Sequence, residues 1–325
     1  MGSSAGLRLY MSDNNGPLIL DGGLATELEA QGIKLQGDPL WSARLLHTNP
    51  QAIKDAHYRF LLSGADVITT ATYQASVSGF MNHLDVSCDR AKELMMSGVD
   101  LAKETVERFV SDTHPTGRRR PLVAGSVGPY GAFLLDGSEY TGAYAEKMSE
   151  EDFKVWHRPQ IECLAAAGAD FVAFETIPSL KEAKALVDLL REFPDVKAWL
   201  SFSCKDGRSL SDGSLFSEAV QAVIGSDQLV AVGVNCCPPA LLQPLLDSAA
   251  SLGTDPCWVV YPNSGEDWDS EHGWRTSKTA SSSIPKLSHT WRKQGAALIG
   301  GCCRIGPDEI AELRRELKGS SATAE

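Results

Sequence analysis

The chain has 325 residues, with 30 basic against 42 acidic side chains, a net charge of −12 and a hydrophobic fraction of 43%. That fraction supplies a sizeable core and argues against global disorder. The acidic balance argues against a nucleic-acid surface or an anionic membrane as partner. Eight cysteines are too sparse for a small disulfide scaffold, Met1–Gly16 shows no signal-like apolar region, and no apolar run reaches the roughly 18 residues of a membrane span. The expectation is a cytoplasmic protein, in whose reducing surroundings clustered cysteines bind metal or catalyse.

Residues 1–16 read as a flexible start, 17–318 as one domain and 319–325 as a flexible tail. Pro17-Leu18-Ile19-Leu20 is a short apolar strand ending in Asp21-Gly22-Gly23. Asn49-Pro50 opens a helix over residues 51–62, closed by Ser63-Gly64. The β-rich run 65–70 leads into Ala71-Thr72-Tyr73-Gln74, and residues 89–110 have helical periodicity. A basic loop with Arg118-Arg119-Arg120, read as solvated, precedes the strand Leu122-Val123-Ala124-Gly125, which ends in Ser126-Val127-Gly128-Pro129. Residues 130–147 are a Gly- and Tyr-rich connection without strong periodicity. A helix then runs from the acidic start at Ser149 to Ala167, and the fourth strand, 169–174, ends in Glu175-Thr176.

Further helices follow Pro178-Ser179, Leu215 and Pro239, and the fifth strand is 197–203. The sixth, Leu229-Val230-Ala231-Val232-Gly233-Val234, ends in Asn235-Cys236-Cys237, and the seventh, 257–261, ends in Pro262-Asn263-Ser264-Gly265. After a polar connection, 266–283, come a helix through Trp291, the strand Ala296-Ala297-Leu298-Ile299, the stretch Gly300-Gly301-Cys302-Cys303, and a last helix, 307–317. Eight strands alternating with helices in about 300 residues predict a single (β/α)8 barrel, an α/β fold. A doubly wound sheet is the competitor, but the first strand lacks the Gly-x-Gly-x-x-Gly fingerprint.

In such barrels the active site lies at the C-terminal ends of the strands. Asp21, Tyr73, Ser126, Glu175, Cys236, Asn263 and Cys302-Cys303 each sit just past an apolar run and converge on one mouth. Thiols at two strand ends suggest a three-thiolate metal site with an open fourth position. Adjacent strand residues face opposite ways, so Cys302 and Cys303 share a ligand only if the backbone breaks, which the preceding glycines permit. The same alternation leaves Cys236 and Cys237 both open as the third ligand. Cys88, Cys163, Cys204 and Cys257 read as inert packing residues. Three thiolates suit Zn2+ and favour holding an incoming thiol as thiolate. Asp21 and Glu175 could bind an amine or serve structural roles. Backbone at Gly22-Gly23 and at Ser126-Val127-Gly128 suits a carboxylate, and Tyr73 is either a wall of the site or a core tyrosine.

At Asp21-Gly22-Gly23, Gly125-Ser126-Val127-Gly128-Pro129, Phe174-Glu175-Thr176, Gly233-Val234-Asn235-Cys236, Pro262-Asn263-Ser264-Gly265 and Gly300-Gly301-Cys302-Cys303 the chain resembles the homocysteine S-methyltransferase family. The resemblance spans residues 17–317 and implies a zinc-bearing barrel that methylates homocysteine to methionine. It implies Cys236, Cys302 and Cys303 as zinc ligands, one ion per chain, choosing Cys236 over Cys237. It further implies Asp21 and Glu175 at the substrate amino group, with backbone near Gly22 and Ser126 at its carboxylate. The compact form resembles enzymes that use a sulfonium donor, S-methylmethionine or S-adenosylmethionine. Tyr73, Tyr130, Trp268 and the Asn263 region are candidates for the donor wall. A betaine donor, or selenocysteine or another small thiol as acceptor, is the nearer alternative. A barrel hydrolase or aldolase, a thiol-disulfide redox protein and a non-catalytic zinc-binding protein are the alternatives of other classes.

Overall fold

The apolar runs become β1 (Leu18–Ile19), β2 (Val67–Thr69), β3 (Leu122–Val127), β4 (Phe171–Ile177), β5 (Ala198–Phe202), β6 (Leu229–Asn235), β7 (Trp258–Tyr261) and β8 (Ala296–Ile299). They form one sheet in the order β1-β8-β7-β6-β5-β4-β3-β2, with every neighbouring pair parallel. A parallel bridge between Leu20 and Val67 joins the two end strands and closes the ring. The expected (β/α)8 barrel is therefore observed. The structure is a computed structural model that describes residues 16–252, 257–269, 273–275 and 284–319.

The intervening α-helices of five residues or more are α1 (Leu24–Ala30), α2 (Pro50–Ser63), α3 (Val77–Leu84), α4 (Cys88–Thr113), α5 (Tyr130–Leu134), α6 (Glu150–Ala166), α7 (Leu180–Leu190), α8 (Phe216–Val223), α9 (Leu242–Ala249), α10 (Ile284–Lys293) and α11 (Pro307–Lys318). Their ends follow from local chemistry. At the start of α2, Asn49 accepts from the Ala52 amide and Pro50 occupies the first turn; at its end Gly64 takes φ 107°. The short α3 escapes a periodicity reading, but Ser76 caps it by accepting from Gly79 N at 3.0 Å. The connection 130–147 is more ordered than its sequence indicates, holding α5 and two single 3-10 turns, Ser138–Tyr140 and Ala143–Lys147. Within 266–283, Asp267–Asp269 and Gly273–Arg275 pair as an antiparallel hairpin. The remainder of that connection, His272 included, lies outside the described residues, as do residues 1–15 and 320–325 of the two expected flexible ends.

Side-chain alternation sorts the core into two layers. Ile19, Ile68, Val123, Val172 and Leu200 pack outward against the helices. Leu18, Val67, Ala124, Ala173, Trp199, Ala231, Val259 and Ala297 fill the barrel interior. Four alanines in that set leave room for the fully buried Trp199, whose indole donates to the Tyr261 hydroxyl at 3.1 Å. The interior is thereby plugged from below, beneath the C-terminal mouth where Asp21, Glu175 and the thiols collect. Among the described residues, no helix is long and apolar enough to cross a membrane.

At the opposite end of the barrel, Asp66 ties the seam between β1 and β2. It accepts from Ile19 N at 3.0 Å, from Arg314 at 2.9 Å and from Lys318 at 2.8 Å. Arg118 also belongs to this end rather than to a solvated loop. Its guanidinium donates to the carbonyls of Leu61 and Ala65 and lies 3.6 Å from Asp66. Burial alone would raise the Asp66 carboxyl, but Lys318 and then Arg314 outweigh it and hold the pKa below the ordinary value. The ionised carboxylate thus contributes stability that is complete above its unfolded pKa of about 3.9 and is lost as pH falls through the lower native value. Asp66→Asn should remove about 3 kcal/mol of stability at pH 7, with the deficit shrinking toward pH 3, as read by denaturant unfolding.

Candidate metal and substrate site

One cavity opens at the C-terminal mouth, lined among others by Asp21, Gly22, Trp41, Tyr73, Tyr140, Glu175, Cys236, Cys302 and Cys303. Cys236 follows β6 with φ 51°, a left-handed conformation rare in a residue with a Cβ. Its amide still donates to Tyr261 O, while Cys237 O accepts from Asn263 N, both at 3.1 Å. This single left-handed residue sends the two neighbours apart. Cys236 faces the cavity; Cys237, 2% exposed, packs in the apolar layer between sheet and helices. Burial pushes the Cys237 thiol up, away from thiolate chemistry.

The cysteine doublet is arranged differently. Beyond β8, Cys302 N donates to Pro262 O at 2.8 Å, Ser264 N to Cys303 O at 3.2 Å, and Ile305 N to Cys302 O at 3.1 Å. The chain turns here, and its left-handed residue is Arg304, φ 66°, not either glycine. Gly300 and Gly301 serve close approach instead: a Cβ on Gly300 would lie 2.8 Å from Asp21 O, and one on Gly301 2.2 Å from Ile305 Cγ2. With the turn made, both thiols reach the cavity.

The Sγ atoms of Cys236, Cys302 and Cys303 all lie within 4.8 Å of one another, and those of Cys236 and Cys303 are 3.8 Å apart. Two sulfurs on one tetrahedral zinc, at the usual Zn–S length of about 2.3 Å, stand about 3.8 Å apart. The donor set and its spacing therefore fit that ion. Hydrogen bonds from Cys302 and then Cys303 hold the Cys236 thiol well below its usual range against the effect of burial, and the Tyr140 hydroxyl assists. Cys302 and Cys303 are raised in turn, chiefly because each keeps its proton and donates its S–H to Cys236. Among the described residues no histidine joins it; His289 pairs with Glu316 at 3.0 Å.

Asp21 and Glu175 face the same cavity. Asp21 accepts from Thr69 N at 2.7 Å and from Thr69 Oγ1 at 3.0 Å. Burial nevertheless raises its pKa to about 8. Glu175 accepts from the Ser126 hydroxyl, and burial raises it to about 7, opposed by the Ser126 and Tyr261 hydroxyls. Glu175 is presented by a break in β4. The register with β5 shifts between Phe174 and Ile177, and Thr176 has φ 62°. A β-branched residue pays a steric penalty there, and Asn235 holds it. Its carboxamide accepts from Thr176 N at 2.7 Å and donates to Thr176 Oγ1 at 2.8 Å. One reciprocal pair thus fixes the residues beside Glu175 and Cys236.

The other candidates fall into two groups. Tyr73 lines the cavity, edge-on to Trp41 with ring centroids 6.3 Å apart. Ser126 is one step removed: its amide donates to Thr70 Oγ1 and its hydroxyl to Glu175. Asn263 turns its carboxamide oxygen onto Gly265 N at 2.9 Å, shaping the loop rather than the cavity wall. Tyr130 stacks in an aromatic group with Phe133, Tyr144, Phe153 and Trp156, away from the mouth, and the Trp268 side chain lies outside the described residues. Sequence reasoning missed Trp41, Tyr140 and Glu139. The Tyr140 hydroxyl lies 3.8 Å from Cys236 Sγ, and Glu139 buries an oxygen that has no hydrogen-bond partner among the described residues. None of the three follows an apolar strand directly, which was the signal that located the others.

A model of the family described as homocysteine S-methyltransferase matches residues 18–317. Homocysteine S-methyltransferase YbgG of Bacillus subtilis is 42% identical over 297 residues, covering 91% of this chain and 93% of that protein. A Drosophila melanogaster relative named betaine-homocysteine S-methyltransferase is 41% identical over 315 residues, covering 93% and 94% respectively. The metallated form of the homocysteine methyltransferase MmuM from Escherichia coli superposes with a TM-score of 0.83 at 39% identity, covering 95% of this chain and 98% of MmuM. On the fold, the clustered thiols and these matches, the chain belongs to the homocysteine S-methyltransferase family.

Proposed function

We propose that this enzyme transfers a methyl group from a sulfonium donor, S-methylmethionine or S-adenosylmethionine, to homocysteine, with one zinc held by Cys236, Cys302 and Cys303. The observation that carries the reading is the sharing of one cavity by three zinc-spaced sulfurs and two buried carboxylates. When bound, zinc would supply the positive charge that keeps a thiol near it ionised at neutral pH. Asp21 and Glu175 hold the ammonium group of homocysteine, and Ser126 acts through Glu175 by orienting its carboxylate. The Gly22 amide, which makes no hydrogen bond among the described residues, is positioned on the cavity wall to receive the amino acid's carboxylate. Held at both ends, the acceptor has its sulfur as the mobile atom, and the rate gain comes largely from that orientation.

The donor follows from charge. Asp21, Glu175 and Cys236 line the cavity, and no Lys, Arg or His does so among the described residues. A donor carrying net positive charge suits such a wall, with Trp41 and Tyr73 facing the methylated centre. Betaine has no net charge, and its carboxylate finds no cation there. The Drosophila relative is named for betaine yet has nearly this chain's length, so length does not separate donors and betaine is the second reading.

Purified protein assayed with homocysteine and each donor should form methionine from S-methylmethionine or S-adenosylmethionine, at least tenfold faster than from betaine. Preference for betaine would select the second reading, and zinc binding without turnover from any donor would contradict the function. The buried carboxyls also set a pH dependence. Because burial pushes Asp21 and Glu175 up to about 8 and about 7, above unfolded values of about 3.9 and 4.3, the ligand-free fold binds extra protons between those limits and loses stability as pH rises from about 4 to 8. Glu175→Gln should flatten part of that slope and raise Tm at pH 8 by roughly 3 °C, while weakening homocysteine binding about tenfold.

A further inference from the structure

Glu182, on α7, is a carboxylate with no solvent exposure, in a layer outside the barrel ring and away from the cavity. An aliphatic residue would pack there without the desolvation that a buried carboxylate suffers. What Glu182 does is gather donors. It accepts from Tyr130 N at 2.7 Å, from the Tyr144 hydroxyl, and from Nε2 of the fully buried His157 at 2.8 Å. Two of these three donors are the two ends of one segment, Tyr130 at the start of α5 and Tyr144 beyond it. His157, on α6, braces the carboxylate from the other side.

The segment between those ends carries Glu139 and Tyr140, and Tyr140, a residue 40% exposed, brings its hydroxyl to 3.8 Å from Cys236 Sγ. Other contacts fasten this segment and the residues that continue it. Lys181, next to Glu182, donates to the carbonyls of Ala145 at 2.6 Å and Met148 at 3.1 Å. Gly131 lets the chain fold back on itself, since a Cβ there would lie 2.6 Å from Glu139 N. We propose that Glu182 is a positioning residue for the thiol site: its carboxylate clamps both ends of the segment from Tyr130 to Tyr144 and thereby fixes Tyr140 over Cys236. It touches neither substrate nor sulfur and acts only through that segment.

The test reads thiol shielding in metal-free, reduced protein, by the limiting rate at high pH, where the thiol is fully ionised, at which iodoacetamide alkylates Cys236, with the exposed Cys88 as internal reference. Glu182→Gln should accelerate alkylation of Cys236 about tenfold, Tyr144→Phe, which removes a single donor, about threefold, and neither should change Cys88. In a Tyr140→Ala background, where the shield is already gone, Glu182→Gln should add nothing. A lower Tm with an unchanged Cys236 rate, in both Glu182→Gln and Tyr144→Phe, would make Glu182 a purely structural residue and overturn the proposal. Equal acceleration with and without Tyr140 would overturn it too. A kinetic arm rests on the proposed reaction, where KM for homocysteine should rise more than kcat falls. The labelling arm does not depend on that reaction, so lack of methyl transfer by the wild type would overturn the function and leave this inference standing.

Discussion

Three thiols from two strand ends, with Cys236 and Cys303 67 residues apart in the chain, must meet within 4.8 Å. A parallel barrel brings the strand ends together but does not aim the side chains, because strand geometry alternates them. The aiming is done by two left-handed residues, Cys236 and Arg304, and by surroundings that leave them no other conformation. At Cys236 the restraint is the pair Asn235–Thr176, itself built on a third left-handed residue, Thr176. At Arg304 it is a turn pressed against Gly22 and Gly23, where an added Cβ would lie 2.1 Å from Ile305 O and 2.7 Å from Cys302 O. Strain of this kind persists only where neighbouring structure over-determines it, and here it clusters at the mouth.

The electrostatics of the mouth follow from the same convergence. Two carboxylates and a thiol cluster are crowded into a cavity plugged from below by Trp199 and Tyr261, and burial drives both carboxyls toward their neutral forms. Such a site is poorly matched to itself and well matched to cations, whether a metal ion, an ammonium group or a methylated sulfonium. Stability is supplied elsewhere, notably at the opposite end of the barrel, where Asp66 meets Arg314 and Lys318. The division agrees with the usual separation of faces in these barrels, chemistry at one end and stability at the other.

The sequence disclosed whatever depends on short-range pattern. Eight apolar runs, each ending in a polar or glycine-rich stretch, marked the barrel strands, and the residues just past them marked Asp21, Tyr73, Glu175 and the cysteines. The choice between Cys236 and Cys237 could not be made from alternation, because it turns on one φ angle; family resemblance made it, and the geometry places Cys236 in the cavity and Cys237 in the apolar layer. The glycines before the doublet were read as conformational freedom and act as clearance. Tyr140 and Trp41 arrive from segments without periodicity, held by long-range contacts such as those of Glu182, so nothing local announced them. Arg118 looked solvated because its partners, Leu61, Ala65 and Asp66, lie more than 50 residues away.

In the zinc site proposed above, Cys236, Cys302 and Cys303 supply the sulfurs, and the turn at Cys236 directs Cys237 away. Zinc per chain, measured after zinc loading and exhaustive dialysis for the wild type and for single serine variants at the four cysteines, tests it most directly. About one zinc is expected in the wild type and in Cys237→Ser, with loss of tight binding in each of the other three. A wild type that retains no zinc, or a Cys237→Ser variant that loses it while Cys236→Ser keeps it, would overturn this ligand set.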